Sequence, residues 1–417
     1  MTDPTTLTSA IERTELPNGV RVLTETVPSV GSVAVGAWVD AGSRDEAEAE
    51  AGITHFIEHM VFKGTQRRRG YLINQRMESV GGYLNAFTTK EHTCFYARGL
   101  REHLGRALET VLDLVTQPTL PAKEIEKEKD VVVEEIKMYE DAPEDHVFDL
   151  YEAAVYPDDP LGRPIIGTPE SVRSFTREDL ERYIGRHYVP DRLVVSVAGA
   201  VRHTDVVRRV EALLGGFDRD RQPAERAPAG GYAPTHLEVE RPIQQAHLVL
   251  GTRAFGALDP RRTTLSVLNT ILGGGMSSRL NQNIREKYGW SYSVYSFVNV
   301  QQDSGDIGVY ISTDAGRLER SKVLIGRELA RLAETPVSAR MLASAKHQLK
   351  GSIVLGLEST SNRMQRLGRV ELTYGEVVPV EAVVAEIDAV TADGVRAVAE
   401  ELFVPDQMST VALLPAD

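Results

Sequence analysis

The chain has 417 residues, of which 42 % are hydrophobic and 26 % charged, and its formal net charge is −13. This composition is typical of a soluble globular protein, and the length predicts at least two domains. The negative charge argues against nucleic acid as a partner, because that ligand needs a basic surface. No apolar run approaches the roughly 20 residues that span a bilayer, so we expect no membrane association. The single cysteine, Cys94, excludes an intrachain disulfide and a thiolate zinc cluster.

The N-terminal sequence MTDPTTLTSAIERTELPNG lacks the basic start and apolar core of a signal peptide. It also contains acidic residues, which argues against a transit peptide. We therefore predict a cytoplasmic protein. The acidic charge either attracts basic ligands over a distance or serves solubility alone.

The first half of the chain is predicted to begin with strands and to continue mainly with helices. Its early elements are a hairpin over 12–27 with a turn at Pro17-Asn18-Gly19, a strand over 32–40, a helix after Gly52, a helix ending at Gly81-Gly82, and two strands within 83–99. Its later elements are helices over 101–115, 121–140, 145–155 and 176–187, a strand over 192–201, and a helix over 203–214.

The segment 216–242 is rich in proline, glycine and charged residues, which predicts a linker. After it the same order of elements returns. The expected elements are a strand over 244–252, a helix over 259–272 ending at three glycines, another helix, strands near 290–300 and 305–313, several helices, and a strand over 409–415. The sequence thus predicts a duplicated α+β unit, with domains at 1–215 and 243–417 and no metal site in the second.

The segment GITHFIEHMVFKGT, residues 52–65, contains His55, Glu58 and His59 within five positions. In a helix, residues four apart differ by about 40° and residues three apart by about 60° in the other direction. The two histidines therefore project from one face, with Glu58 beside them. H-x-x-E-H is the inverted zincin pattern, in which the glutamate is a general base. The alternative is an amphipathic helix whose histidines face solvent or core partners.

A third ligand is expected from the helix that contains EKEKDVVVEEIKMYEDAP, residues 126–143. Glu128 and Glu135 are two helical turns apart and share a face with Val131 and Val132. A carboxylate on an apolar face is costly unless it meets a cation or a metal. Helical phase favours Glu135 over Glu134 as the ligand. The alternative is a solvated run of charges with ordinary pairs on the helix surface.

Taken together, several blocks of the sequence resemble the pitrilysin–insulysin family of zinc peptidases, and most of all the catalytic subunit of mitochondrial processing peptidase and its bacterial relatives. The blocks are HFIEH, EKDVVVEEI, AGSRDE, HMVFKGT, GGYLNAFTTKEHT, LGGGMSSRL and REKYGWSYSV. The resemblance spans about residues 14–415. It implies a processing-peptidase-like metallohydrolase fold, with two tandem pseudo-repeated domains that each contain a mainly antiparallel sheet covered by helices.

The resemblance also implies a site. One Zn²⁺ per chain would be held by His55, His59 and Glu135. Glu58 and Glu128 would be the catalytic residues, with Glu58 activating a zinc-bound water and Glu128 tuning the site as an accessory acid. Imidazole and carboxylate ligands by themselves do not separate zinc from manganese or cobalt.

Four further residues are implied to bind the substrate. Arg285 and Tyr292 match the pair that reaches the substrate backbone, and Asn85 and Ala86 match the edge strand that pairs with an extended peptide. The residues themselves leave alternatives. Arg285 is then a cation near a helix C-terminus, Tyr292 an aromatic side chain packed on a sheet, and the segment of Asn85 and Ala86 an ordinary strand. The glycines at 273–275 either separate two helices or handle substrate. LGGGMSSRL lacks the Gly-Lys-Ser/Thr ending of a phosphate loop.

The predicted function is therefore that of a zinc-dependent metalloendopeptidase. It would hydrolyse short or unfolded peptides inside a clamshell chamber formed by a homodimer, or formed with an inactive homologous partner chain. The alternative is a noncatalytic peptide-binding or assembly subunit of the same fold. Against that alternative, the sequence keeps the three ligand positions and the base.

Overall fold

The computed structural model describes residues 10–219 and 226–416. Contacts between residues group the chain into two units that are not continuous in sequence. The first unit contains the described parts of 1–136, 164–227 and 356–378, and the second contains those of 137–163, 228–355 and 379–417. Each unit thus includes one segment from the other half of the chain. The domain boundaries at 215 and 243 stay a prediction.

Eleven strands are present in the described residues and form one sheet in each unit. In chain order they are β1 (Ala10–Glu15), β2 (Arg21–Thr26), β3 (Ser32–Val39), β4 (Tyr83–Thr88), β5 (Thr93–Leu100), β6 (Leu193–Gly199), β7 (His236–Arg241), β8 (Ala246–Ala254), β9 (Ser291–Val300), β10 (Gly305–Thr313) and β11 (Ser409–Pro415).

The helices carry most of the remaining described residues. They are α1 (Ile53–Val61), α2 (Gly70–Glu78), α3 (Leu104–Thr116), α4 (Ala122–Asp141), α5 (Pro143–Val155), α6 (Pro169–Ser174), α7 (Arg177–His187), α8 (His203–Leu214), α9 (Arg262–Leu272), α10 (Leu318–Glu334), α11 (Ala339–Gly356), α12 (Thr360–Tyr374), α13 (Val380–Ala389) and α14 (Ala392–Leu402). No helix among the described residues combines the length and the apolarity that crossing a bilayer requires.

The sheet of the first unit has the order β1-β2-β6-β3-β5-β4. Its pairs are antiparallel except β2 with β6, which run parallel. The predicted hairpin is confirmed, with β1 and β2 joined by a turn in which Gly19 has a φ of 96°, a left-handed conformation that glycine adopts without strain. Strand β4 lies at the edge of the sheet.

The sheet of the second unit repeats this plan with the order β7-β11-β8-β10-β9. Again one pair is parallel, β7 with β11, and the others are antiparallel. Strand β9 occupies the edge position that β4 has in the first sheet. The matching order and orientation of five strands confirm the predicted duplicated α+β unit, which residue identity alone did not establish.

In each unit, a helix from the other half of the chain covers one face of the sheet. Helix α12 packs on β2, β3 and β6 of the first sheet, and α5 packs on β8 and β11 of the second. The contact of α12 is close: a Cβ added to Gly368 would come within 2.1 Å of the Trp38 ring. The opposite face of the first sheet is covered by α3 and α8, whose apolar stripes complete the main core of that unit.

Three sequence predictions differ in detail from the structure. The last part of the predicted linker forms β7, because HLEVER alternates half-buried and exposed side chains. The helix after the three glycines has π-type hydrogen bonding over Asn281–Glu286, which an apolar pattern does not distinguish from an α-helix. Val131 is 50 % exposed whereas Val132 is fully buried, so only Val132 faces the core.

Candidate metal centre

Helix α1 presents its polar residues on one side because its other side is anchored in the core. Five of its nine residues are apolar and almost completely buried: Ile53, Phe56, Ile57, Met60 and Val61. His55 is also buried, at 8 % exposure, whereas Glu58 and His59 are partly exposed. As predicted, the two histidines face the same way, and their ring centroids are 4.6 Å apart.

Helix α4 brings acidic side chains to this face. Its apolar residues Ile125, Val132, Val133 and Ile136 are buried, and Glu128 is buried among them at 4 % exposure. Glu135 is half-buried and lies beside the histidines, whereas Glu134 is exposed. Helical phase therefore identified which of the two adjacent glutamates points towards α1.

His55, His59 and Glu135 form a group of potential metal ligands. One donor atom of each lies within 4.8 Å of the other two, and the described residues contain no other such group of three. The Nε2 atoms of His55 and His59 lie 3.9 Å and 3.6 Å from the carboxylate oxygens of Glu135. Zinc bonds of about 2.0–2.2 Å at tetrahedral angles place donors roughly 3.3–3.6 Å apart. Two imidazoles and one carboxylate thus fit zinc after a small closing of the site.

Glu128 contacts the far side of His59. Its Oε1 lies 2.9 Å from His59 Nδ1, and its Oε2 lies 2.6 Å from the ammonium of Lys63. Burial lowers the pKa of His59, but the hydrogen bond to Glu128 and the charges of Glu135 and Glu58 outweigh burial and leave it raised. Burial in turn raises the pKa of Glu128, and its bonds to His59 and Lys63 more than reverse that, so it is lowered. With Nδ1 engaged in this way, Nε2 of His59 faces Glu135.

Glu58 lies next to the ligand group and is held by strand β4. Thr88, the last residue of that strand, donates its hydroxyl hydrogen to Oε2 of Glu58. Burial raises the pKa of Glu58, while the bond from Thr88 and the charge of His59 act in the opposite direction. A raised pKa makes this carboxylate a stronger base than an ordinary glutamate and brings its pKa closer to neutral pH, which suits proton transfer in both directions.

His55 has a different environment from His59. Burial, and then the nearby charge of His59, lower the pKa of His55 to about 3, so its imidazole is neutral, as a metal ligand must be. Its Nδ1 atom is buried and has no hydrogen-bond partner among the described residues. Its ring is therefore oriented by the helix backbone and by packing.

The predicted substrate-binding strand is β4, and it does form an edge. Ala86 is buried, at 8 % exposure, whereas Asn85 is exposed. The Ala86 N–H donates to the Asn85 side-chain oxygen at 2.9 Å. Within the described sheet, β4 pairs only with β5, and its other edge faces no strand. Pairing with a peptide stays a prediction.

Arg285 and Tyr292 lie in the second unit, near each other. Arg285 is in the last turn of the π-helix, and its guanidinium lies 5.2 Å from the centre of the Tyr292 ring. Tyr292 is on edge strand β9 and is 83 % exposed, so it is not packed on the sheet. A role of either residue towards a substrate stays a prediction.

Two of the three glycines at 273–275 have a structural reason, since a Cβ on Gly274 would also come within 2.7 Å of the Thr270 Cα. A Cβ on Gly273 would meet the backbone nitrogen of Ser296 in β9 at 2.1 Å. Glycine therefore lets the end of α9 approach the edge strand closely. This favours the packing interpretation for Gly273 and leaves substrate handling untested.

Two residues of the site were missed in the sequence. Thr88 is part of YLNAFTTKE, but only the approach of the β4 end to α1 brings it to Glu58. Lys63 follows His59 by four residues, so a cation one helical turn further on was a visible signal. The role of Lys63 follows only from the fold, which buries Glu128 between Lys63 and His59.

Known families of proteins match most of the chain. Residues 21–169 match the family described as Insulinase (Peptidase family M16), and residues 174–349 match its Peptidase M16 inactive domain. A Mycobacterium leprae protein named an uncharacterized zinc protease is 44 % identical over 395 residues, covering 94 % of this chain and 89 % of the relative. The Bacillus subtilis protein YmxG, with the same description, is 40 % identical over 396 residues, covering 95 % and 96 %.

Solved structures share the fold. The structure from Pseudomonas fluorescens described as a peptidase M16 inactive domain has a TM-score of 0.90 at 21 % identity and covers 98 % of both chains. A protease from Helicobacter pylori has a TM-score of 0.92 at 21 % identity, covering 98 % of this chain and all of its own. At this level of identity the comparison shows the two-unit architecture.

Proposed function

This chain belongs to the M16 peptidase family, the insulinase family, and we propose on that basis that it is a zinc-dependent endopeptidase acting on short or unfolded peptides. The observation that carries the proposal is the group formed by His55, His59 and Glu135, with the carboxyl group of Glu58 beside it. The names of its relatives, which describe zinc proteases, support the choice of metal.

One zinc ion per chain would be held by His55, His59 and Glu135. When bound, zinc supplies Lewis acidity, which polarises a carbonyl group and lowers the pKa of water. Three protein ligands are the usual number in catalytic zinc sites, whereas structural sites have four. The described donors therefore suit a site that keeps one position for a reactant.

Glu58 would move the proton. Its raised pKa suits a group that first takes a proton from the attacking water and then gives it to the leaving amine. Thr88 supports this role, because its hydroxyl group holds one carboxylate oxygen of Glu58 in place. General acid–base catalysis of this kind commonly contributes about 10²- to 10⁴-fold in rate.

The edge strand β4 would bind the substrate backbone. An extended peptide added at this edge gains main-chain hydrogen bonds whatever its sequence, and the strand ends at Thr88, which touches Glu58. The peptide would thus approach the base. Asn85 and Ala86 would contact it there. For Arg285 and Tyr292, which lie near each other in the second unit, we also propose contact with a substrate backbone.

We further propose that two copies of the chain enclose the substrate as a homodimer in the cytoplasm, with an inactive homologous partner as the alternative. The family resemblance supports this assembly. Its mass in solution, measured by light scattering on the purified chain alone, separates a homodimer from a monomer that requires another partner.

Cleavage of a mixed library of short peptides, followed by mass spectrometry, tests the enzymatic proposal. Zinc-loaded wild-type protein is compared with Glu58→Gln, and with Glu48→Gln as a control at an exposed acid of the preceding loop. We expect cleavage by the wild type and the control and none by Glu58→Gln, although that variant still binds zinc. Absence of cleavage by the folded, zinc-loaded wild type, alone and with cell extract as a source of partner, would favour the noncatalytic alternative.

A further inference from the structure

The first turn of α1 lacks a capping side chain of its own. The residue before the helix is Gly52, which has a φ of 89° and no side chain to accept a hydrogen bond. The first N–H groups of any helix have no acceptor within the helix. Here they are buried, since Gly52, Ile53 and Thr54 are all buried residues. Acceptors from elsewhere are therefore needed.

Glu46 supplies two of them. Its Oε2 accepts the N–H of Gly52 at 2.8 Å, and its Oε1 accepts the N–H of Thr54 at 2.9 Å. Glu46 is 4 % exposed, so both bonds are shielded from water. Bonds from N–H groups to a carboxylate are stronger than bonds between neutral groups, and the N-terminus of a helix favours negative charge.

The segment that carries Glu46 is itself fixed. Asp45 accepts three hydrogen bonds from Arg226, at 2.9 Å, 3.1 Å and 3.3 Å. On the helix side, the hydroxyl groups of Thr54 and Tyr183 lie 2.7 Å apart, and Tyr183 donates to the carbonyl oxygen of Gly42 at 3.4 Å. The cap is therefore part of a buried polar cluster, not a mobile surface side chain.

The two histidines depend on this cap to different degrees. His55 directly follows Thr54, in the first turn, and its Nδ1 has no hydrogen-bond partner among the described residues. His59 lies one turn further on, and its Nδ1 is held by Glu128. Fraying of the first turn would therefore move His55 before it moved His59.

We propose that Glu46 is a positioning residue of the metal centre: by capping α1 it holds the first turn and thereby aims His55 at the metal. This rests on the zinc site of the proposed function. The residue belongs to the AGSRDE block, for which the resemblance implied no role. A cap that served only overall stability would leave the metal affinity of the folded protein unchanged, and this difference makes the inference testable.

The test compares Glu46→Ala and Glu46→Gln with Glu50→Ala. Glu50 is a matched control in the same loop as Glu46. Its carboxylate accepts hydrogen bonds from the Ala47 N–H and from Arg186 of α7, and not from α1. Zinc affinity is measured by competition with a chromophoric chelator well below the unfolding temperature. Cobalt(II) spectra report the ligand geometry, and hydrogen exchange of residues 52–62 reports the first turn in metal-free protein.

We expect Glu46→Ala to weaken zinc binding about 10- to 100-fold, the range for residues that orient metal ligands. Its cobalt spectrum should change and exchange in 52–62 should accelerate. Glu46→Gln keeps one acceptor and should lose less; it also carries the test if the alanine variant does not fold. Unchanged zinc affinity and an unchanged cobalt spectrum in a folded Glu46 variant would overturn this inference but not the proposed function. A wild-type protein that binds no zinc would refute the proposed function together with it.

Discussion

Replacement of Glu128 tests whether the buried carboxylate behind His59 strengthens the metal site. In Glu128→Gln the side chain keeps its size and a carbonyl oxygen for His59 Nδ1, but it loses its charge. In Glu128→Ala both the charge and the acceptor are lost, and Lys63 loses its nearest carboxylate. The two variants therefore separate the contribution of charge from that of the hydrogen bond.

The expected magnitude follows from the contact. The bond is 2.9 Å long, and the two side chains are 23 % and 5 % exposed, so solvent screens it only partly. Hydrogen bonds to charged groups contribute about 1.5–3 kcal/mol, and 1.4 kcal/mol corresponds to a factor of about ten. Complete loss in Glu128→Ala thus predicts zinc binding weaker by roughly 10- to 150-fold. Glu128→Gln should show a smaller loss.

Zinc dissociation constants are best measured at about pH 8, where an ordinary histidine is neutral and protons compete little for the ligands. Glu126→Gln is the control, because this acid lies on the same helix, is 72 % exposed and pairs with Lys129 on the surface. The reasoning would be refuted if Glu128→Ala, folded by circular dichroism, bound zinc as tightly as the control did.

Three further outcomes are expected. In Thr88→Val, loss of the bond to ionised Glu58 should raise the pKa of that carboxyl further, so the acid limb of the kcat/KM profile should move to higher pH; an unmoved limb would argue against Glu58 as the base. Burial, and then neighbouring arginines, lower the pKa of His187 to about 3. The unfolded state then takes up this proton first as the pH falls from about 6.5, so the wild type should lose up to about 1.4 kcal/mol of unfolding free energy per pH unit more than His187→Gln between pH 6 and 4. Equal slopes in denaturant titrations would contradict this. Gly368→Ala should cost about 1–3 kcal/mol because its Cβ meets a buried tryptophan ring. Gly351→Ala, also in a helix but with open space around it, should be neutral or stabilising by up to about 1 kcal/mol in the same thermal unfolding assay.

Local patterns predicted much of the fold and the ligand types. The spacing of His55, Glu58 and His59 is a property of one helix, and helical phase separated Glu135 from Glu134 because both lie on the same regular element. The turn at Gly19 and the strands β3 and β5 were predicted for the same reason, because each signal lies within a few neighbouring residues. The prediction missed β7. Its six residues do alternate, but they follow a stretch rich in proline and glycine, and the whole segment was assigned to a linker.

Contacts between distant residues were beyond such reasoning. The bond of Thr88 to Glu58 links positions 30 apart, and that of Glu128 to His59 links positions 69 apart. The resemblance implied that Glu128 tunes the site, but neither its contact with His59 nor the contact of Thr88 with Glu58 follows from spacing, because only packing brings these pairs together. The placement of α5 and α12 on the sheet of the opposite half is of the same kind, since no period within either helix indicates its partner.

The sequence by itself determined the chemistry of this protein: two imidazoles and a glutamate on one helix, a carboxylate on another, and two similar runs of strands and helices. Those features follow from residue type and from helical and strand periods, which act over a few neighbouring positions. Only the tertiary structure decided which groups contact these residues. Glu128 bonds to His59 and to Lys63, Thr88 bonds to Glu58, and Glu46 accepts an N–H of the first turn of α1. Burial raises the cost of every unpaired charge and N–H group, so the folded core selects these partners from many residues that look alike in the chain.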